Sequence, residues 1–294
     1  MKILEILNEV TRTQMKKVTG EEVAQSLTTN CNDMVTSYLN GYGLYRGRGR
    51  KNLGFGYFDG RNAPIRKSAN TQNYINLIVS NSPNWKNWPK RDRSIFGSTN
   101  PRFASDYGRL YIVFPFNDVL IGIAGNNDFW YSMDYFQKNL NINVPSFNDV
   151  LATLSKDLKI PLNDDNILEF EKDLNSLQNR LDELIKIKMS RGPTGYDDDS
   201  NEIWPTKDEY KDISEFVPYY YSDVLNFLKN QSNLLKKLYK LTDPKLNNLK
   251  ILTPKNISYN KSEEYYAFEW WMEGPAYLVE HNFFKEKVEP LLTR

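Results

Sequence analysis

Cysteine and histidine are almost missing from this chain: Cys31 and His281 are the only ones in 294 residues. One cysteine excludes an intramolecular disulfide and a Cys-rich zinc site, and it favours a reducing cytoplasm. One histidine removes most metal sites and nearly all Ser-His or Cys-His nucleophile systems, so acid–base chemistry here would rest on carboxylates. Net charge is lacking too. The 38 basic and 37 acidic side chains leave +1, so no global field draws the protein onto nucleic acid or anionic lipid. No apolar run approaches the length of a membrane span. The start, "MKILEILNEVTR", has helical spacing and lacks the continuous apolar stretch of a signal peptide.

The chain does have 40% hydrophobic and 14% aromatic residues, enough for one large domain or two small ones with a real core. Residues 1–40 read as an N-terminal helical layer. Within it "TGEEVAQSL" offers Thr19 as N-cap with Glu22 three positions on. From Gly41 to Asp128 the texture changes to short apolar runs between glycines and prolines: "GLYRG", "NLIVS", "RSIFGST", "RLYIVFPF" and "DVLIGIAG". These predict strands, with one helix over about 100–107. Residues 145–245 read as a large helical insertion. "VPSFNDVLATLSKDL" is predicted as a helix capped at Ser146, and Ile167, Phe170, Leu174, Leu177, Leu181 and Leu184 form one face of a second. "SEFVPYYYSDVLNFLKNQSNLLKKLYKL" supplies its partner after Pro218. "NLKILTPKNISY" and "YYAFEWWMEGPAYLV" return to strands, and "VEHNFFKEKV" reads as a helix. The expected fold is α+β: a single domain over 1–294 whose β-rich core combines about 41–130 with 247–280.

Four segments invite a chemical reading. "GYGLYRG" and "GFGYFDG" are glycine-rich, but neither follows a buried strand and opens a helix, so they read as flexible turns and not phosphate loops. "LYRGRGRK" gathers Arg46, Arg48, Arg50 and Lys51 beside aromatics. Such a run reads as a solvated edge or a phosphate track. Arg46, after Leu44 and Tyr45, stands apart as a semi-buried guanidinium at a strand end, suited to fork onto a diphosphate. "RSIFGSTNPRFASDYG" places Ser98 and Thr99 between a strand and a helix, as an N-cap or as hydroxyls that orient a ligand or a catalytic side chain. Glu269 opens a late strand ahead of "WWM", as a rim glutamate or as a catalytic carboxylate. The acidic run Asp197–Asp199 reads as a solvated loop.

An arginine in "YRG", a Ser-Thr step and a glutamate opening a late strand together resemble the Arg-Ser-Glu class of ADP-ribosyltransferases, which use NAD. The resemblance implies a transferase-type β-rich core. It implies Glu269, Ser98 and Arg46 as catalytic residues, and NAD bound by Arg46, Gly47, Ser98, Thr99 and Tyr107 without a metal. Asn100 stands where that family has a third motif residue. Ala267 stands where arginine-modifying members carry Glu or Gln, which disfavours an arginine acceptor. "MKILEIL", "CNDMVTSYLNGYGLYRG" and "FGSTNPRFASDYGRLYIVFPFND" further resemble proteins of large tailed bacteriophages. The implied activity is mono-ADP-ribosyl transfer to a macromolecular acceptor, protein or nucleic acid, in the bacterial host cytoplasm or packaged in a virion. The implied acceptor loop is "LTPKNISYNKSEEYYAF", with Tyr265 and Tyr266 as contact residues. An inert phage structural or host-binding protein and an NAD hydrolase are the alternatives.

Overall fold

The structure, a computed structural model, describes residues 18–49, 54–62, 64–67, 72–181, 183, 195–196, 202–203, 219–258 and 267–293. The "MKILEIL" start, Arg50, Lys51, Leu184, Asp197–Asp199, Tyr265 and Tyr266 lie outside the described residues. In chain order the strands are β1 (Tyr45–Arg48), β2 (Phe55–Asp59), β3 (Ile95–Ser98), β4 (Arg109–Pro115), β5 (Ile121–Ala124), β6 (Gly195–Tyr196), β7 (Glu202–Ile203), β8 (Leu249–Leu252), β9 (Glu269–Met272) and β10 (Pro275–Glu280). The helices are α1 (Gly20–Asn30), α2 (Asn32–Leu39), α3 (Tyr74–Asn81), α4 (Pro101–Ser105), α5 (Asp134–Leu140), α6 (Val144–Leu158), α7 (Ile167–Asn179), α8 (Tyr219–Lys229) and α9 (Leu234–Leu241). A helical run over His281–Phe283, Phe284–Val288 and Glu289–Leu292 follows β10. Helix and antiparallel sheet are therefore mixed, an α+β chain.

Two units divide the chain. One comprises 1–70, 85–132 and 248–294; the other comprises 71–84 and 133–247. In the first unit eight strands run in the order β2-β10-β4-β1-β3-β9-β5-β8, every neighbouring pair antiparallel. The cap expected at Thr19 forms: the Thr19 hydroxyl accepts the Glu22 N–H while the Glu22 carboxylate accepts the Thr19 N–H, a complete capping box. Val23, Leu27, Met34 and Tyr38 then recur at helical spacing and are buried with Phe114 and Phe284. Complete burial of a side chain such as Phe114 stabilises by about 1.5–3 kcal/mol.

One junction in the sheet is unlike the rest. β1 and β3 pair at a single position, Tyr45 opposite Ser98. Gly97 permits this crossing, because a Cβ there would lie 2.1 Å from the Tyr45 carbonyl oxygen and 2.4 Å from the Trp270 ring. A side chain would force the two strands apart.

The second unit is mainly helical, with β6 and β7 as a two-stranded antiparallel sheet. Phe170, Leu174, Leu177 and Leu181 are buried as the stripe requires, while Ile167 is half-buried. Against expectation, "NLIVS" belongs to helix α3 and not to a strand. Tyr74, Ile75, Ile78 and Val79 are buried, Tyr74 stacking on Phe170 at 5.5 Å; a short apolar run fits either structure until its neighbours are known. Two further corrections are local. Asn143, not Ser146, caps α6, its side chain accepting the Ser146 N–H at 2.9 Å. "GFGYFDG" contains the edge strand β2, paired with β10, where turns were expected.

Candidate active site

β1, β3 and β9 are consecutive in the sheet, and their register aligns one row: Tyr45 opposite Ser98, and Ser98 opposite Glu269. Arg46, Ser98 and Glu269, distant in sequence, thus lie on neighbouring strands. Arg46 is buried, and its Nη1 donates to the Phe96 carbonyl at 2.8 Å, bracing β1 against β3. Gly47 lets α4 approach closely, because a Cβ there would lie 1.9 Å from the Ala104 carbonyl oxygen and 2.9 Å from Tyr107 Cβ. This approach sets where Tyr107 emerges.

Ser98 and Thr99 divide their work. The Ser98 hydroxyl accepts the Asn100 N–H at 3.1 Å, and the Asn100 side chain caps α4 by accepting the Arg102 N–H at 2.9 Å. The cap expected at Ser98 or Thr99 therefore falls to Asn100, the residue positioned directly before Pro101 at the first turn. Thr99 clamps the segment that leads into β9: its N–H donates to the Phe268 carbonyl at 3.0 Å, and its Oγ1 accepts the Phe268 N–H at 3.0 Å. Glu269 follows directly.

Both oxygens of the Glu269 carboxylate are held. Oε1 accepts from Arg91 Nη2 at 2.9 Å, and Oε2 accepts from the Phe129 N–H at 3.0 Å. The side chain is nonetheless 19% exposed, whereas that of Arg91 is 6% exposed. Arg91 is enclosed by rings, with its guanidinium carbon 3.6 Å from the Phe129 centroid, 4.7 Å from Phe96 and 5.0 Å from Trp271. Burial lowers the Arg91 pKa and the Glu269 carboxylate opposes that shift, yet a guanidinium in a protein stays charged. The loop bearing Arg91 is tied to alternate residues along β9 and just beyond it. The Trp271 indole N–H donates to the Pro89 carbonyl at 3.1 Å, and the Lys90 N–H donates to the Glu273 carboxylate at 3.2 Å. Glu269, Trp271 and Glu273 share one side of the chain by their period of two, so this loop fixes that whole side.

A second carboxyl adjoins the first. Asp128, in the turn after β5, has its carboxyl pushed up to about 6, by burial first and by the neighbouring Glu269 second; the Trp130 N–H and Arg91 act in the opposite sense. Tyr107 is 49% exposed, and its phenol is raised by burial and then by Asp128, Asp106 and Glu269. The Tyr107 phenol and the two carboxylates therefore lie close enough to act on one another's charge. Arg46, Gly47, Ser98, Thr99, Tyr107 and Glu269 all belong to this neighbourhood. Arg91 and Asp128 were missed in the sequence, though "KRDRS" before a strand and "NNDFW" after one carried a signal: charge set against large aromatics.

A separate cleft of about 880 Å³ opens near Glu273, lined by Asn30, Arg61, Trp88 and Asn117 among others; Glu269 does not line it. Among the described residues no group of three or more His, Cys, Asp or Glu side chains could hold a metal ion. No described helix is long and apolar enough to cross a membrane. No protein-family model, curated protein or solved structure matches the chain.

Proposed function

We propose that the chain is a mono-ADP-ribosyltransferase of the Arg-Ser-Glu type, cleaving the nicotinamide–ribose bond of NAD and passing ADP-ribose to a macromolecular acceptor. The observation that carries the reading is the aligned row Tyr45, Ser98 and Glu269 across β1, β3 and β9, with Arg46 beside it. On this reading the eight-stranded sheet, crossed at β1 and β3, is the transferase core. Breaking a nicotinamide–ribose bond generates a ribosyl cation like that of glycoside hydrolysis, so a carboxylate close to the ribose stabilises charge that exists only near the transition state. Glu269 is suited to that task because Arg91 and the Phe129 N–H fix its direction. Tyr107, half exposed beside it, offers a face to the nicotinamide ring. Arg46 holds the β1–β3 junction in place, and its guanidinium is the group for the diphosphate. Acceptor protein and acceptor nucleic acid are both compatible with these residues, and the bacteriophage resemblance supports a bacterial host as the setting.

A second reading has its own support. Two hydrogen bonds already engage Glu269, as in a purely structural ion pair, so an inert host-binding protein on the same fold is the alternative. Incubation of the purified protein and its Glu269→Gln variant with labelled NAD and a bacterial lysate separates the two. Label that depends on Glu269 and is released by protease or by nuclease supports transfer and names the acceptor class. Nicotinamide release without label identifies a hydrolase. The absence of label, nicotinamide release and NAD binding would overturn the proposal in favour of the inert protein.

A further inference from the structure

Asp128 directly precedes Phe129, the residue whose N–H holds Oε2 of Glu269. Its Oδ1 accepts the Trp130 N–H at 2.6 Å, and no described hydrogen bond reaches Oδ2. The ionisable groups that act on it or feel it are Glu269 from β9, Arg91 from the loop before β3 and Tyr107 just after α4, whose phenol Asp106 also influences. Two carboxylates thus share one guanidinium, and the guanidinium hydrogen bonds to Glu269. That asymmetry gives the two carboxylates different roles. Glu269 is engaged by a direct charge-assisted bond, whereas Asp128 stands in the field of Glu269 and has an oxygen available for a proton.

We infer that Asp128 is a second catalytic carboxylate, which takes the proton from the acceptor's X–H group as that group attacks the ribose. The inference rests on the transferase reading above and adds an acceptor class to it. A pair of carboxylates with a single counter-cation repels a carboxylate or phosphate acceptor and favours a neutral or cationic one, such as a hydroxyl, an amide or a guanidinium. In the step, the acceptor lone pair forms the bond to the ribosyl anomeric carbon. The bond from that carbon to nicotinamide breaks, its electron pair returns to the ring nitrogen, and nicotinamide leaves neutral. The acceptor proton passes to Asp128 Oδ2 and then to water. A carboxyl whose pKa lies near 6 suits a proton acceptor working at neutral pH.

The test compares the full-length protein with Asp128→Asn and Asp128→Glu, using labelled NAD with a bacterial lysate as the source of acceptors, over about pH 5 to 8. The Asn amide oxygen still accepts the Trp130 N–H, and circular dichroism checks that the fold is kept. Wild-type transfer is expected to rise with pH and level off above about 6. Asp128→Asn should slow it roughly 10²–10⁴-fold, with the rising limb gone and KM for NAD changed only a few-fold. Asp128→Glu should restore part of the rate together with the limb. If the wild type releases nicotinamide without labelling macromolecules, water is the X–H group and the same comparison is read on nicotinamide release. Full rate in Asp128→Asn, an unchanged pH limb, or a loss confined to KM would overturn the role of Asp128 and leave the transferase reading standing. A wild type with neither release nor label would remove both.

Discussion

Arg91 meets the carboxylate of Glu269 at 2.9 Å from within an enclosure of aromatic rings. Both charges have left most of their water behind. Breaking such a pair from one side costs more than replacing both partners, because the remaining charge stays buried without its counter-ion. Arg91→Ala should cost about 3–5 kcal/mol in urea denaturation. Arg91→Met combined with Glu269→Met should lose less than the sum of the two single replacements. Strict additivity would mean that the ion pair contributes nothing to stability.

Asp128 should make the protein less stable as pH rises. Its carboxyl binds a proton more tightly in the folded chain, near 6, than at the ordinary value of 3.8. The stability gained from that proton is complete below about 3.8 and is lost as pH climbs through about 6. Asp128→Asn should therefore stabilise the protein at neutral pH, on the order of 1–3 kcal/mol, and have little effect near pH 4. Thermal melting at both pH values reads the difference, and equal effects at the two would contradict the shift.

Gly97→Ala should pry β1 from β3. The new methyl carbon would lie 2.1 Å from the Tyr45 carbonyl oxygen, a backbone atom that cannot step aside alone. A loss of about 1–3 kcal/mol or more is expected, together with any activity of the site. Gly54→Ala serves as control: its nearest neighbour would be Phe283 at 3.8 Å, an ordinary contact. It should stay within about 0.5 kcal/mol of wild type.

Thr99→Val keeps shape but removes the acceptor at 3.0 Å from the Phe268 N–H. The expected cost is about 1–3 kcal/mol, with Thr99→Ser close to wild type. Hydrogen exchange at the Phe268 amide should quicken in the valine variant alone. Unchanged exchange would show that the clamp does not hold the segment ahead of Glu269.

Cys31 should ignore thiol reagents in the native protein. Its thiol is fully buried, donates to the Phe114 carbonyl at 3.2 Å, and is pushed up to about 12 mainly by burial. Aromatic disulfide reagents should label it promptly in urea and negligibly without.

The local features of this chain were readable because their causes are local. The capping box of Thr19 and Glu22 needs four residues, and the strands at Tyr45, Ile95, Arg109 and Ile121 announce themselves as short apolar runs bounded by glycine, proline or polar residues. "NLIVS" shows where such reading stops. Its helical state is settled by Phe170 and other side chains far along the chain, and not by its own composition. The site divides along the same line. Arg46, Ser98 and Glu269 stand out because each interrupts an apolar segment, and strand register sets Ser98 opposite Glu269 while Arg46 follows Tyr45 on the neighbouring strand. Arg91 lies in "KRDRS", which looks like a solvated basic cluster; only the folded chain surrounds it with Phe96, Phe129 and Trp271. The Phe129 N–H, a backbone donor, leaves no mark in any sequence.

The order of the sheet also bears on when the protein can form during synthesis. β9 and β10 come last of the eight strands along the chain, yet both lie inside the sheet, β10 between β2 and β4 and β9 between β3 and β5. Without them the sheet separates into β2 alone, the trio β4-β1-β3, and the pair β5-β8. A nascent chain therefore carries Arg46 and Ser98 on one fragment and Asp128 on another until β9 has been translated, and pairings this far apart in sequence close slowly. The glutamate and the strand that assembles its surroundings reach the fold together, so a chain that stops short of β9 has neither a closed core nor an assembled site.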